Sequence, residues 1–167
     1  MEAPRREAEP HDPRQRIAKI MLEECGRIRL SARIEDERRA ALFDLIEENR
    51  FAPAGIPPGP YVVRLGISGD CLVFRVCDEA DRLLTRFTLA LGSLRRIIKD
   101  YFLICDSYFN AIKALPPSRI EAIDMARRGL HNEGAEVLRE RLAGKVDVDL
   151  PTARRLFTLI CVLHIRA

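Results

Sequence analysis

The chain has no run of the roughly 18 consecutive apolar residues that a membrane-crossing helix needs. Its opening, MEAPRREAEPHDPRQR, holds no apolar stretch, so a secretory signal is not expected there and the expected compartment is cytoplasmic. Its five cysteines include no C-x-x-C pair, and there is no H-E-x-x-H. Zinc ribbons, thioredoxin-like redox motifs and zincin sites therefore lack their ligands, and reduced thiols are the expectation. Nothing matches G-x-S-x-G, a P-loop or G-x-G-x-x-G, so the common hydrolase, nucleotidase and dinucleotide signatures are missing. Histidine is scarce, with three in 167 residues, and His11 falls in the polar opening. His131 and His164 alone cannot supply the three or four convergent ligands of a metal site, so neither metal nor cofactor is expected. Lysine is scarce too: 24 of the 28 basic residues are arginine.

What is present fits one folded unit. With 47% hydrophobic residues the chain can build a core without staples. Residues 1–14 carry three prolines and seven charges and read as a disordered tail, leaving 15–167 as a single domain. Acids nearly balance bases up to residue 90, and the surplus of positive charge lies in 91–167, with thirteen basic and nine acidic groups. That asymmetry falls short of the footprint of a dedicated nucleic-acid binder. The arginine bias fits phosphate or carboxylate recognition. A GC-rich coding sequence yields the same bias without function.

Periodicity then sets the elements. RIAKIMLE (16–23) alternates as a strand, and EDERRAALFDLIEEN (35–49) reads as a helix opened by acids, with Leu42, Phe43, Leu45, Ile46 and Asn49 at helical spacing. FAPAGIPPGP (51–60), with four prolines, reads as irregular. Three alternating runs, 61–68, 71–77 and 83–91, form a meander, with Gly69-Asp70 as a primed hairpin turn. After Gly92 the period becomes 3.6. Residues 93–114 form a helix with Ser93 as N-cap and an apolar stripe from Leu94 through Tyr101, Phe102, Tyr108 and Phe109 to Ile112. Ser118 and Glu121 read as the capping box of the next helix, which Gly144 closes. The last helix, with Pro151 in its first turn, is apolar on nearly all sides over 156–163, the mark of a central buried helix. The order β-α-β-β-β-α-α-α predicts an α+β fold, an antiparallel meander of about four strands packed against C-terminal helices.

The chemistry concentrates in DMARRGLHNEG (124–134). On a helix, Asp124, Arg128 and His131 share a face, and Arg127 precedes His131 by four. Two guanidiniums, an imidazole and the Asn132 amide suit a phosphate or carboxylate. His131, Glu133 and Asp124 are the weak candidates for acid–base work. Gly129 and Gly134 bracket the histidine, and each costs about 1 kcal/mol against alanine inside a helix. The plainer reading is that the glycines permit tight helix packing and that Asp124–Arg128 is a surface ion pair. Arginine also comes in pairs, Arg95-Arg96, Arg127-Arg128 and Arg154-Arg155, two of them near helix starts. Converging, the pairs would form an anion pocket; scattered, they are solvated faces, which is the preferred reading.

The blocks DLIEENRFAPAG (44–55), GPY (59–61), RRIIKDYFLICDSYFNAIK (95–113), IEAIDMARRGLHNEGAEVLRERLAGK (120–145) and DLPTARRLFTLICVLH (149–164) resemble the signature blocks of uncharacterised protein family 0262, an alphaproteobacterial group. The resemblance spans nearly all of the chain after the tail. It implies a bacterial cytoplasmic protein without an assigned activity, and carries over no site residue.

Three readings of function follow. The first is a non-enzymatic binding or adaptor protein, as a homodimer or with a protein partner, in which the proline-rich loop 52–60 frames a groove. The second is an enzyme or binder acting on a phosphorylated small molecule through Arg127, Arg128 and His131. The third, less favoured, is an RNA-binding accessory protein.

Overall fold

A computed structural model describes residues 12–23 and 31–166. Of the predicted tail at 1–14, residues 1–11 lie outside these, as does Cys25, while residues 12–14 form a turn in which the Arg14 amide donates to Asp12 Oδ1 at 2.9 Å. The elements are β1 (Ile17–Glu23), α1 (Ala32–Glu47), β2 (Phe51–Pro53), β3 (Tyr61–Ser68), β4 (Cys71–Cys77), β5 (Leu83–Ala90), α2 (Gly92–Ala114), α3 (Pro117–Leu142), β6 (Val146–Val148) and α4 (Leu150–Arg166). The fold is α+β. Strands β3, β4 and β5 form the expected antiparallel meander, and Gly69, at φ +58°, begins the tight turn between β3 and β4. The sheet order is β1-β3-β4-β5. β1 differs from the expected antiparallel pattern: it runs parallel to β3. Parallel neighbours need a long crossover, and the 16-residue α1 supplies it.

One sheet face carries Tyr61, Val63 and Leu65 of β3 with Leu72, Phe74 and Val76 of β4, all buried. It belongs to the same apolar core as α4. From Leu156 to Leu163 every α4 residue but Thr158 is at most 3% exposed, so α4 is the central helix that its sequence implies. On the opposite sheet face the register aligns Arg64, Arg75 and Arg86 in one cross-strand row. Asp81 holds Arg64 at 2.8 Å and Glu23 holds Arg75 at 2.9 Å. These pairs relieve the repulsion of like charges set side by side.

Several local expectations are corrected. Phe51–Pro53, inside the proline-rich stretch, is a strand that pairs antiparallel with β6. Phe51 and Pro53 face buried Val148 and Val146, and this burial outweighs the weak local propensity. Ser93 does not cap α2, whose cap is Leu91, and Ser118 lies inside α3, whose cap is Pro116; neither cap residue makes a side-chain bond. α1 begins earlier than its acids suggested, because Ser31 accepts a hydrogen bond from the Ile34 amide at 3.3 Å. Asn49 sits just past α1 and ties it to β1. Its Oδ1 accepts from Ile17 N at 2.7 Å, and its Nδ2 donates to the carbonyls of Ile17 (2.9 Å) and Leu45 (2.7 Å).

The α2 stripe is buried only through Cys105, apart from half-buried Phe102. Beyond it α2 and the first half of α3 form a hairpin arm, in which Ala111 is the single buried residue between 106 and 133. Tyr108 and Phe109, expected in the core, are half-buried beneath guanidiniums: Arg127 stands 4.9 Å from the Tyr108 ring and Arg33 3.5 Å from that of Phe109. Ile112 is 49% exposed. Among the described residues no helix is long and apolar enough to cross a membrane.

Candidate functional site

The α3 segment folds as one uninterrupted helix, which sets its side chains on a common face. The Asp124 carboxylate lies between two guanidiniums, at 2.6 Å from Arg127 and 3.2 Å from Arg128. The hydrogen bond from Arg127 holds this carboxyl below its usual range. The next turn brings His131.

Across from this face lies α4, where Pro151, Arg154, Arg155 and Thr158 follow one another at helical spacing. On α1, Glu37, Ala40, Ala41 and Asp44 keep the same spacing and form a third wall. Tyr101 of α2 also lines the space. Together they enclose a cleft of about 430 Å³, with the small side chains of Ala40 and Ala41 between Glu37 and Asp44 on its α1 wall. Two of the three arginine pairs therefore converge around His131. Among the described residues Arg154 and Arg155 have no ion-pair partner.

His131 is the hinge of the arrangement. Its ring packs 5.3 Å from Tyr101 and 5.2 Å from Phe157. Nε2 lies 2.8 Å from Thr158 Oγ1, and the Thr158 hydroxyl donates to the Arg154 carbonyl at 3.3 Å. With that hydroxyl proton committed, Nε2–H is the donor and Nδ1 is left as an acceptor. Burial, then the charges of Arg154 and Arg127, push the imidazole down to about 4. At neutral pH it carries no charge, and the nitrogen left free is the acceptor Nδ1.

The two glycines part company. A Cβ on Gly134 would lie 2.3 Å from the Phe157 ring, so Gly134 lets α4 pack tightly on α3. A Cβ on Gly129 would meet nothing within 4 Å.

Other sequence-derived residues lie elsewhere. Arg95 pairs with Asp70 at 2.7 Å beside the β3–β4 turn, and Arg96 is exposed; neither lines the cleft. Glu133 is exposed and outside the lining. Asn132 also stands outside it, with its Oδ1 buried and without a hydrogen-bond partner among the described residues. His164, half-buried, is pushed down by burial and by Arg95. Among the described residues no group of three or more His, Cys, Asp and Glu side chains could hold a metal ion. Sequence reasoning missed Glu37, Asp44 and Thr158, and for Tyr101 it weighed base stacking but preferred the core. The available signal was the repeat of Glu37, Ala40, Ala41 and Asp44 at one face of α1.

An α+β protein whose helices frame an arginine-lined cleft is the class that fold and site define. The chain belongs to the uncharacterised protein family UPF0262, which it matches over residues 14–166. It is similar to UPF0262 protein amb3341 of Paramagnetospirillum magneticum, 57% identical over 94% of this chain and 99% of the relative. It is similar also to UPF0262 protein Rsph17025_0594 of Cereibacter sphaeroides, 56% identical over 89% of this chain and 98% of the relative. A third relative, UPF0262 protein Mmar10_1128 of Maricaulis maris, is 57% identical over 91% and 95%. No solved structure matches.

Proposed function

We propose that this protein binds a small molecule bearing a phosphate or carboxylate in the cleft between α1, α3 and α4. The observation that carries the reading is the meeting of Arg127-Arg128 and Arg154-Arg155 in one cleft, with Arg154 and Arg155 lacking a carboxylate partner among the described residues. Uncompensated guanidiniums in a concave, partly desolvated space favour a planar or tetrahedral anion that accepts two hydrogen bonds from each. The volume suits a metabolite-sized ligand. His131 is poorly suited to proton transfer, since it titrates well below neutral pH and its Nε2 is engaged by Thr158; with only Nδ1 left, as an acceptor, it lines the cleft without donating to the anion. The exposed apolar side chains give less support to an adaptor face. Phe43, Leu83, Leu103 and Met125 lie on four different elements, and Leu103 and Ile112 are nine residues, or about two and a half turns, apart on opposite sides of α2.

A thermal-shift screen with inorganic phosphate, pyrophosphate and phosphorylated or carboxylated metabolites tests the reading. A ligand at 100 times its Kd adds about 2.7 kcal/mol, a rise of roughly 5–10 °C for a chain of this size. Arg154→Ala and Arg128→Ala should remove the shift, and Arg96→Ala should leave it. Retention of the full shift in Arg154→Ala, or no shift with any anion, refutes the proposal.

A further inference from the structure

We infer that the ligand of this cleft carries a protonated amine as well as its anionic group, and that Glu37 and Asp44 of α1 receive the amine. The inference rests on the anion-binding reading above and adds the class of ligand. Glu37 is half-buried, yet among the described residues its carboxylate has no hydrogen bond and no ion pair. Arg127 and Arg33 act on it electrostatically but stay beyond ion-pair distance, while burial pushes the carboxyl up. Asp44, two turns further along the same face, likewise has no ion pair among the described residues. Between them the wall holds only Ala40 and Ala41, which can satisfy neither.

Elsewhere the same fold closes its arginines onto acids: Arg64 on Asp81, Arg75 on Glu23, Arg95 on Asp70, Arg50 on Asp147. In the cleft, acids of α1 and arginines of α4 face each other across open space and do not pair. A purely anionic ligand would meet attraction on one wall and repulsion on the other. A molecule with both groups satisfies both walls and relieves the partly desolvated Glu37 carboxylate. The chemistry points to a phosphorylated or carboxylated amine, with the two charges far enough apart to span the cleft.

Calorimetric titration of the full chain with ω-aminoalkyl phosphates of about two to six carbons, beside alkyl phosphates of equal length, tests this. For at least one chain length the amine should bind about tenfold more tightly than its alkyl counterpart. Glu37→Gln should erase most of that preference while alkyl phosphates bind as well or better. Asp44→Asn, at an exposed position that does not threaten folding, should weaken the preference in the same direction. Equal affinity for both series at every length overturns the amine inference and leaves the anion site standing. An amine preference unchanged in both variants also overturns it. Failure of every phosphate here, and of ω-amino carboxylates and alkyl carboxylates of the same lengths titrated beside them, overturns the anion reading and this one with it.

Discussion

Two alanine substitutions in one helix should move stability in opposite directions. Gly129 and Gly134 both lie inside α3, where replacing glycine by alanine gains about 1 kcal/mol from helix propensity and the loss of unfolded-state freedom. At Gly129 nothing opposes the gain, since the new methyl meets no atom within 4 Å. At Gly134 the methyl would lie 2.3, 2.4 and 2.8 Å from three carbons at the tip of the Phe157 ring. An ordinary separation of about 3.5 Å requires the ring edge to retreat by roughly 1.2 Å. Phe157 is fully buried, and Tyr101 and His131 pack against it, so it has little room to move. Overpacking of this kind costs about 2–3 kcal/mol, which leaves a net loss of about 1–2 kcal/mol after the propensity gain. In urea unfolding, Gly129→Ala should raise the midpoint and Gly134→Ala should lower it, with the slope unchanged. In a thermal scan the two should differ by roughly 4–12 °C. A Gly134→Ala protein as stable as Gly129→Ala would refute the packing argument.

Asn49→Ala removes three hydrogen bonds and strips partners from both backbone groups of Ile17. It should cost about 2–4 kcal/mol in urea unfolding; a loss under about 1 kcal/mol would mean that water replaces the amide. His131 titrates at about 4 when folded and near 6.5 when unfolded. Above pH 6.5 both states are neutral and stability is intact. As pH falls from 6.5 to 4 the unfolded chain takes up a proton that the folded chain does not. Stability therefore drops by up to about 3 kcal/mol, and His131→Gln should flatten that window. An NMR titration midpoint of 6 or above for His131 would contradict the buried, neutral ring. Thr158→Val keeps the shape but removes the acceptor for Nε2, and should cost about 1–2 kcal/mol by thermal unfolding; no change would mean that the contact carries no energy.

The meander and α4 were legible in the sequence for different reasons. Alternation over 61–68 and 71–77 has period two and brackets a Gly-Asp turn, so strand, partner and register all follow from local chemistry. α4 is apolar all round, which demands burial wherever the helix sits. The parallel direction of β1 was not legible, because alternation marks a strand but not its neighbour. β2 and β6 are three residues each, too short for any period. Ser93 and Ser118 misled because capping needs backbone geometry, and in both helices the chain turned in two residues earlier. The site divides the same way. RRGLH on α3 and the Arg154-Arg155 pair were visible as motifs, but their meeting depends on how α3 crosses α4. Glu37 and Asp44 look like ordinary solvent-facing acids of a charged helix, and only tertiary packing sets them opposite arginines.

The α2–α3 arm, with so little apolar burial, sits at the low end of local opening energies, and α4 sits at the high end. Deuterium should enter the amides of residues 112–128 long before those of 156–163. Arg127, Arg128 and His131 stand where the arm joins the body, while Arg154 and Thr158 belong to the slow-exchanging helix. Among the described residues the cleft thus joins a sparsely buried arm to the central buried helix, and an occupant that grips both helices should slow exchange in α3 first.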